Sequence, residues 1–535
     1  MAYTLLWVEG LVASLLLVAI VTARTARWDG GGSRAFTLVA FFLFALGFHA
    51  GLVVVGLNLY VVGEVYSTLL VGVSALAGAF VVGSVLVLIY GFGRRDDEAR
   101  AADWSGGWLA LAFVVAAGAF VATFWSVDLS IRDQAGEMRA RAEALARSVA
   151  PSEVPDADNA AIEYGMALAI AGAMDDWSDD LRDRWQEWSD TDVELDGNDS
   201  ELRAVLREKS EAFRLLRLAA KKSACRFERD YSKLGFDAMC PDCRQFQDFA
   251  DLLSISARLR AADGDANAAA EDVKAMLALS NHVASYPMLV PSLVAMGIEG
   301  KAIETAQTMV RSGTFAPADL ARVRLGGEPS WRPQFHRAIV SEEAFMLWCL
   351  AGVAEGRIDS SEGVGHAVNE RIAAVISPFR VFVMPPDIEF HAFIWPEMRR
   401  LSMQPYWQAK EGFGNVHSQL RSRGGILSHI LMPALAKAAE MFARQDAKRS
   451  ALAVAVAACR YRTERGDWPL RIEDLVPRYI PVVPVDPFDG KPMRWKADAE
   501  RIVIYSVGPD EADDEGQPFE SETQAGDFGF ELPRR

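Results

Sequence analysis

The stretch "GDWPLRIEDLVPRYIPVVPVDPFDGKPMRW", residues 466–495, decides how the end of this chain folds. Gly466 suits the left-handed position that ends a helix, and Pro469 prevents the helix from resuming. A short helix is expected next. From Leu475 onward the prolines fix φ and hold an extended run, and Asp489-Gly490 is a hairpin signal. "RIVIYSV" at 501–507 alternates as a strand does. Upstream, "LAKAAEMFARQDAKRSALAVAVAACRYRTER" reads as one long helix from Leu435 to Arg465. Residues 434–535 therefore read as a small α+β unit grown on a long helix.

The order of these signals resembles the C-terminal part of the major pseudopilins of type II secretion. The matching pieces are the Gly466 and Pro469 helix end, "LVPRYIP" (475–481), "DPFDGKP" (486–492) and "YSVGPD" (505–510). The outer region as a whole also resembles a family of uncharacterised bacterial membrane-anchored proteins, through "CRF" (225–227), the Gly264-Asp265 hairpin, "PMLVPSLV" (287–294) and the C-terminal block. Those resemblances imply architecture and no established activity. A pseudopilin begins with a processing site and an apolar helix, whereas here the matching segment lies hundreds of residues into the chain, so filament assembly by that route is not expected.

The opposite end is strongly apolar. Thr4–Thr22, Ala35–Tyr60, Tyr66–Phe92 and Trp108–Trp125 are each long enough, at roughly 20 apolar residues per span, to cross a hydrocarbon core as helices. Basic residues accumulate in the first and third short loops, as Arg24, Arg27, Arg34, Arg94, Arg95 and Arg100, which predicts both termini outside. The expected organisation is a four-helix transmembrane domain at 1–128, an α-helical extracytoplasmic domain at 129–433, and the long helix with its α+β unit at 434–535. The expected fold class is thus mainly α, in a multi-pass inner-membrane protein. A net charge of −17 repels phosphate backbones, so nucleic acid is not an expected partner.

Between the ends, helical periodicity dominates. "SIRDQAGEMRARAEALARSVA" after residue 129 is amphipathic, and "ARLRAADGDANAAAEDVKAMLAL" (257–279) reads as a tetratricopeptide-like helical hairpin with Gly264 and Asp265 at the turn. Trp177, Trp185 and Trp188 punctuate an acidic segment, either as an exposed strip or packed beneath a polar helix. "FRVFVMPPDIEFHAFIWPEMRR" (379–400), with three prolines, is expected to be irregular.

The chemistry candidates are few. Asp510, Asp513, Asp514 and Asp527 supply the carboxylates a calcium ion prefers, without EF-hand spacing, and the alternative is a solvated acidic loop. Cys225, Cys240 and Cys243 offer a disulfide between two of the three, with redox chemistry and zinc as the other readings. His336 and Glu343 share a helix face at i,i+7, either as part of an active site or as a surface pair. Glu9 and His49 fall at comparable depth among the apolar stretches. No catalytic signature such as HExxH or Gly-x-Ser-x-Gly occurs. The expectation is a non-enzymatic, membrane-anchored scaffold with protein partners in the cell envelope; an envelope enzyme or a ligand sensor are the rivals.

Overall fold

The computed structural model describes residues 103–171, 178–231, 242–323, 325, 330–356, 380–432, 435–520 and 525–534. Among these residues the chain is mainly helical, with fourteen α-helices and one small sheet of three strands. The helices are α1 (Asp103–Val149), α2 (Ala161–Ala171), α3 (Asp179–Ser189), α4 (Ser200–Glu208), α5 (Ser210–Ala219), α6 (Cys243–Ala262), α7 (Ala266–Val283), α8 (Leu289–Arg311), α9 (Pro317–Leu320), α10 (Arg332–Glu355), α11 (Arg380–Ser402), α12 (Tyr406–Arg423), α13 (Ile426–Leu431) and α14 (Leu435–Arg465). The strands are β1 (Arg494–Ala497), β2 (Arg501–Ser506) and β3 (Phe528–Pro533), antiparallel in the order β1-β2-β3.

The expected membrane region is corrected here. Three of its four stretches, with Glu9 and His49, lie outside the described residues, and the fourth falls in α1. Among the described residues no helix is long and apolar enough to cross a membrane. The four-span domain, the multi-pass inner-membrane placement and the membrane as a partner are therefore not supported. The described part of α1 shows a different use of apolar residues. Val127, Ile131, Ala135, Met138, Ala142 and Ala146 form one buried stripe at helical spacing, while charged residues such as Arg132 and Asp133 face outward. That stripe packs along α10, and its three alanines let the two helices approach closely. Asp128, buried near the middle of α1, pairs with Arg380 of α11 at 2.6 Å.

The helical hairpin around Gly264 forms between α6 and α7, with Gly264 at φ +83° and Asp265 capping α7 through Ala268 N. Trp185 and Trp188 are buried under α3, whereas Trp177 lies outside the described residues. The expectation of an irregular segment around Pro385, Pro386 and Pro396 is overturned, since all three lie inside α11. Each proline removes a helical hydrogen bond. Burial offsets that loss, because Met384, Phe390, Ile394, Trp395, Met398 and Leu401 point from α11 into the core.

One continuous core runs from Val127 to Leu532, and α14 lies at its centre. Helices α8, α9 and α12 pack on α14, and β2 and β3 pack against it as well. The sheet is thereby joined to the helical body. Gln307 of α8 strengthens the joint by treating β3 as a strand partner: its amide donates to Glu531 O at 3.0 Å and accepts from Glu531 N at 2.8 Å.

The 466–495 stretch folds as its local signals indicate. Gly466, at φ +81°, ends α14 with its N–H on Arg462 O, and a single 3₁₀ turn follows at Ile472–Leu475. The proline-rich run then crosses back toward α12. Asp486 anchors the hairpin from a fully buried position, accepting from Phe488 N, Val507 N and Ser506 Oγ and pairing with Arg494 at 2.7 Å.

Candidate functional site

Where the proline-rich run passes the helical body, the surface opens into a cleft of about 740 Å³. Its floor is α14 (Phe442, Asp446 and Ser450), one wall is the start of α10 with the α11–α12 corner, and the other wall is the segment 480–490. The mouth is unusually apolar for a surface. Trp407 is 37% exposed, Val482 66% and Val485 55%. Gly490 fixes Trp407 in place: at φ +74°, a Cβ there would stand 2.8 Å from the indole ring.

Set into that floor is a buried polar network that holds three helices together. Glu299 of α8 accepts from Trp331 Nε1 and Gln445 Nε2, each at 2.7 Å, and pairs with the Arg449 guanidinium. Asp446 accepts from Trp331 N at 2.6 Å and Ser330 Oγ at 2.8 Å, so it caps the N-terminus of α10. Burial pushes its carboxyl up to about 6. Tyr406, also lining the cleft, is pushed up to about 12 by burial and by Glu440, which leaves it a phenol at neutral pH. At the rim, Arg332 is exposed, and no hydrogen bond or ion pair engages its guanidinium among the described residues.

The residues singled out in the sequence fall elsewhere. Asp513 accepts from Tyr505 OH at 2.9 Å and Glu515 N at 3.1 Å, Asp514 accepts from Gly526 N at 3.0 Å, and Asp510 accepts from Ala512 N at 3.2 Å. Asp527 is buried and accepts from Gly516 N at 2.7 Å; burial, with Asp513 and Asp514 nearby, pushes it up to about 6. These carboxylates organise the loop around backbone N–H groups. Among the described residues no group of three or more His, Cys, Asp or Glu side chains is arranged to hold a metal.

His336 and Glu343 go to different partners. His336 Nδ1 meets Ser402 Oγ at 2.8 Å, whereas Glu343, fully buried, bridges Arg141 at 2.8 Å and Arg399 at 2.5 Å. Ser402 is itself buried and donates to Arg399 O, so its hydroxyl is not presented to a substrate. Cys225 is a buried thiol that burial pushes well above its ordinary value, and Cys240 lies outside the described residues. Sequence reasoning passed over Trp407, Arg332 and Asp446. The available signal was "QPYW" at 404–407, a helix start carrying two aromatic rings.

Fold and cleft together define a mainly helical protein with a small antiparallel sheet and an apolar surface groove. No family model, curated protein or solved structure matches the chain. The resemblances to pseudopilins and to a membrane-anchored bacterial family are corrected on that ground and on the lack of a membrane-crossing helix among the described residues. What the two readings share is a local pattern of Gly, Pro and Asp-Gly signals, and such signals specify turns rather than ancestry.

Proposed function

We propose that this chain is a non-enzymatic interaction protein whose binding face is the groove between α12, α14 and the proline-rich segment. The observation that carries the reading is the exposed apolar mouth formed by Trp407, Val482 and Val485 over an open cleft of about 740 Å³. Apolar surface clustered in a concave site marks a place where another molecule is covered or covers. The titratable groups of the site support the same reading. Asp446 caps a helix, and Glu299 and Arg449 neutralise each other in the core.

A photo-crosslinking amino acid at position 482, with position 470 as control, tests this. Leu470 is 86% exposed and lies outside the cleft lining. The expected result is a discrete protein adduct at 482 that is absent at 470 and lost when Trp407→Ala is added. Equal labelling at both positions refutes the reading.

A further inference from the structure

The outer wall of the groove carries an isolated antiparallel bridge with one free edge. In the hairpin 484–493, Met493 N donates to Pro484 O at 2.9 Å and Asp486 N donates to Lys491 O at 2.7 Å. Val485 and Pro492 form the bridge between these two bonds. In an antiparallel pair the residues between two such bonds turn their N–H and C=O groups away from each other. Val485 therefore points its main-chain groups out of the hairpin, and by alternation Val483 points the same way. Among the described residues neither valine has a hydrogen-bond partner for its N–H or its C=O. The run offers two donors and two acceptors at strand spacing.

The neighbouring residues limit and orient this edge. Pro481 and Pro487 stand two positions to either side of the valine pair and lack N–H groups, so pairing is confined to a short ladder instead of an open-ended sheet. Side chains of anything paired there alternate, and Val485 borders the same cleft as Tyr406, Trp407 and Phe442. Arg332 adds a cation that is unpaired among the described residues at the rim. An acidic side chain complements it.

Resting on the interaction reading above, we propose that the groove receives an extended segment of a protein partner. That segment pairs as a strand with Val483 and Val485, places apolar side chains in the cleft at every second position, and sets an acidic side chain against Arg332. Main-chain pairing supplies the register, and the cleft and Arg332 supply the selection.

The test is selection of a random heptapeptide library against the full chain, followed by affinity measurement on the enriched peptides. The expected peptides alternate apolar residues and carry one Asp or Glu. N-methylation of their backbone at every second position weakens binding roughly tenfold while the intervening positions tolerate it, as loss of one hydrogen bond at an edge covered by the bound segment requires. Val485→Pro, which removes an N–H that bonds nothing among the described residues, weakens binding by a similar factor, and Arg332→Ala removes the acidic preference. The N-methyl scan leaves the protein untouched, so a folding defect in the proline variant does not decide the matter. If methylation has no period-two effect but Trp407→Ala abolishes binding, the groove binds by another mode; this inference fails and the interaction reading stands. If Trp407→Ala binds equally well, or nothing is enriched, both fail. Self-association that Val485→Pro abolishes in sedimentation makes the occupant a second copy and overturns the partner assigned here.

Discussion

Replacing Glu299 by Gln isolates the charge that holds α8, α10 and α14 together beneath the groove. Gln keeps the side chain's length and an oxygen that accepts from Trp331 Nε1 and Gln445 Nε2. What it removes is the counter-charge of Arg449, whose side chain is 6% exposed and faces a carboxylate that is 1% exposed. Removing one member of a buried ion pair costs about 3–5 kcal/mol, chiefly because the other charge is left without compensation. Glu299→Gln is expected near the upper bound, about 5 kcal/mol, since Trp331 and Gln445 share one carboxylate oxygen and Arg449 takes the other, so the amide that keeps its oxygen on the first pair turns an NH2 donor toward the guanidinium. Arg449→Met removes the other charge, and its cost is expected in the same range. The double variant buries no net charge and is expected to cost only about 1 kcal/mol, giving a coupling of several kcal/mol by a double-mutant cycle. Urea denaturation followed by tryptophan fluorescence measures all four proteins. A single-variant cost below about 1 kcal/mol, or a double variant equal to the sum of the singles, refutes the claim that this pair is a desolvated, mutually dependent unit.

Three further outcomes follow from the same structure. Asp486→Ala orphans Phe488 N and Val507 N in a buried site and is expected to cost about 3–5 kcal/mol, at 1–3 per unsatisfied group, with faster hydrogen exchange at those two amides as the local readout. Asp527 has a folded pKa of about 6, raised above its ordinary value, so its protonated form is favoured in the fold; that contribution is complete below pH 4 and lost as pH rises through about 6. Asp527→Asn is therefore expected to gain on the parent protein by up to roughly 2–3 kcal/mol between pH 4 and pH 8 in thermal unfolding, and a pH-independent difference contradicts the assignment. Gly490→Ala meets both a left-handed backbone and the Trp407 ring, and is expected to cost about 1–2 kcal/mol and to shift Trp407 fluorescence.

Turns and caps were legible in the sequence because their determinants are local. Gly264, Gly466 and Gly490 each take positive φ at the turn where the sequence places them. Helical periodicity likewise marked α6, α7 and α14. The buried stripe of α1 between Val127 and Ala146 follows the amphipathic pattern read after residue 129. Helix α11 was misread because the cost of its prolines is local, while the burial that offsets it comes from residues far away in the chain. The groove was illegible for a related reason. It brings together positions near 332, 407, 446 and 485, and no spacing rule joins them. His336 and Glu343 do lie close along one helix, yet each is claimed by a partner from another element, Ser402 for one and Arg141 and Arg399 for the other.

The amide of Gln307 bonds to a main chain made 224 residues later. While the chain is being synthesised, α8 is complete long before β3 exists, and the flank of α14 that β3 covers stays bare until that strand emerges. A product cut short before Phe528 carries all fourteen described α-helices but leaves that flank and the Gln307 amide open to water. Closure of that flank therefore waits on a strand that follows the helix by dozens of residues, so the long helix and its cover are separated in synthesis although they are joined in the fold.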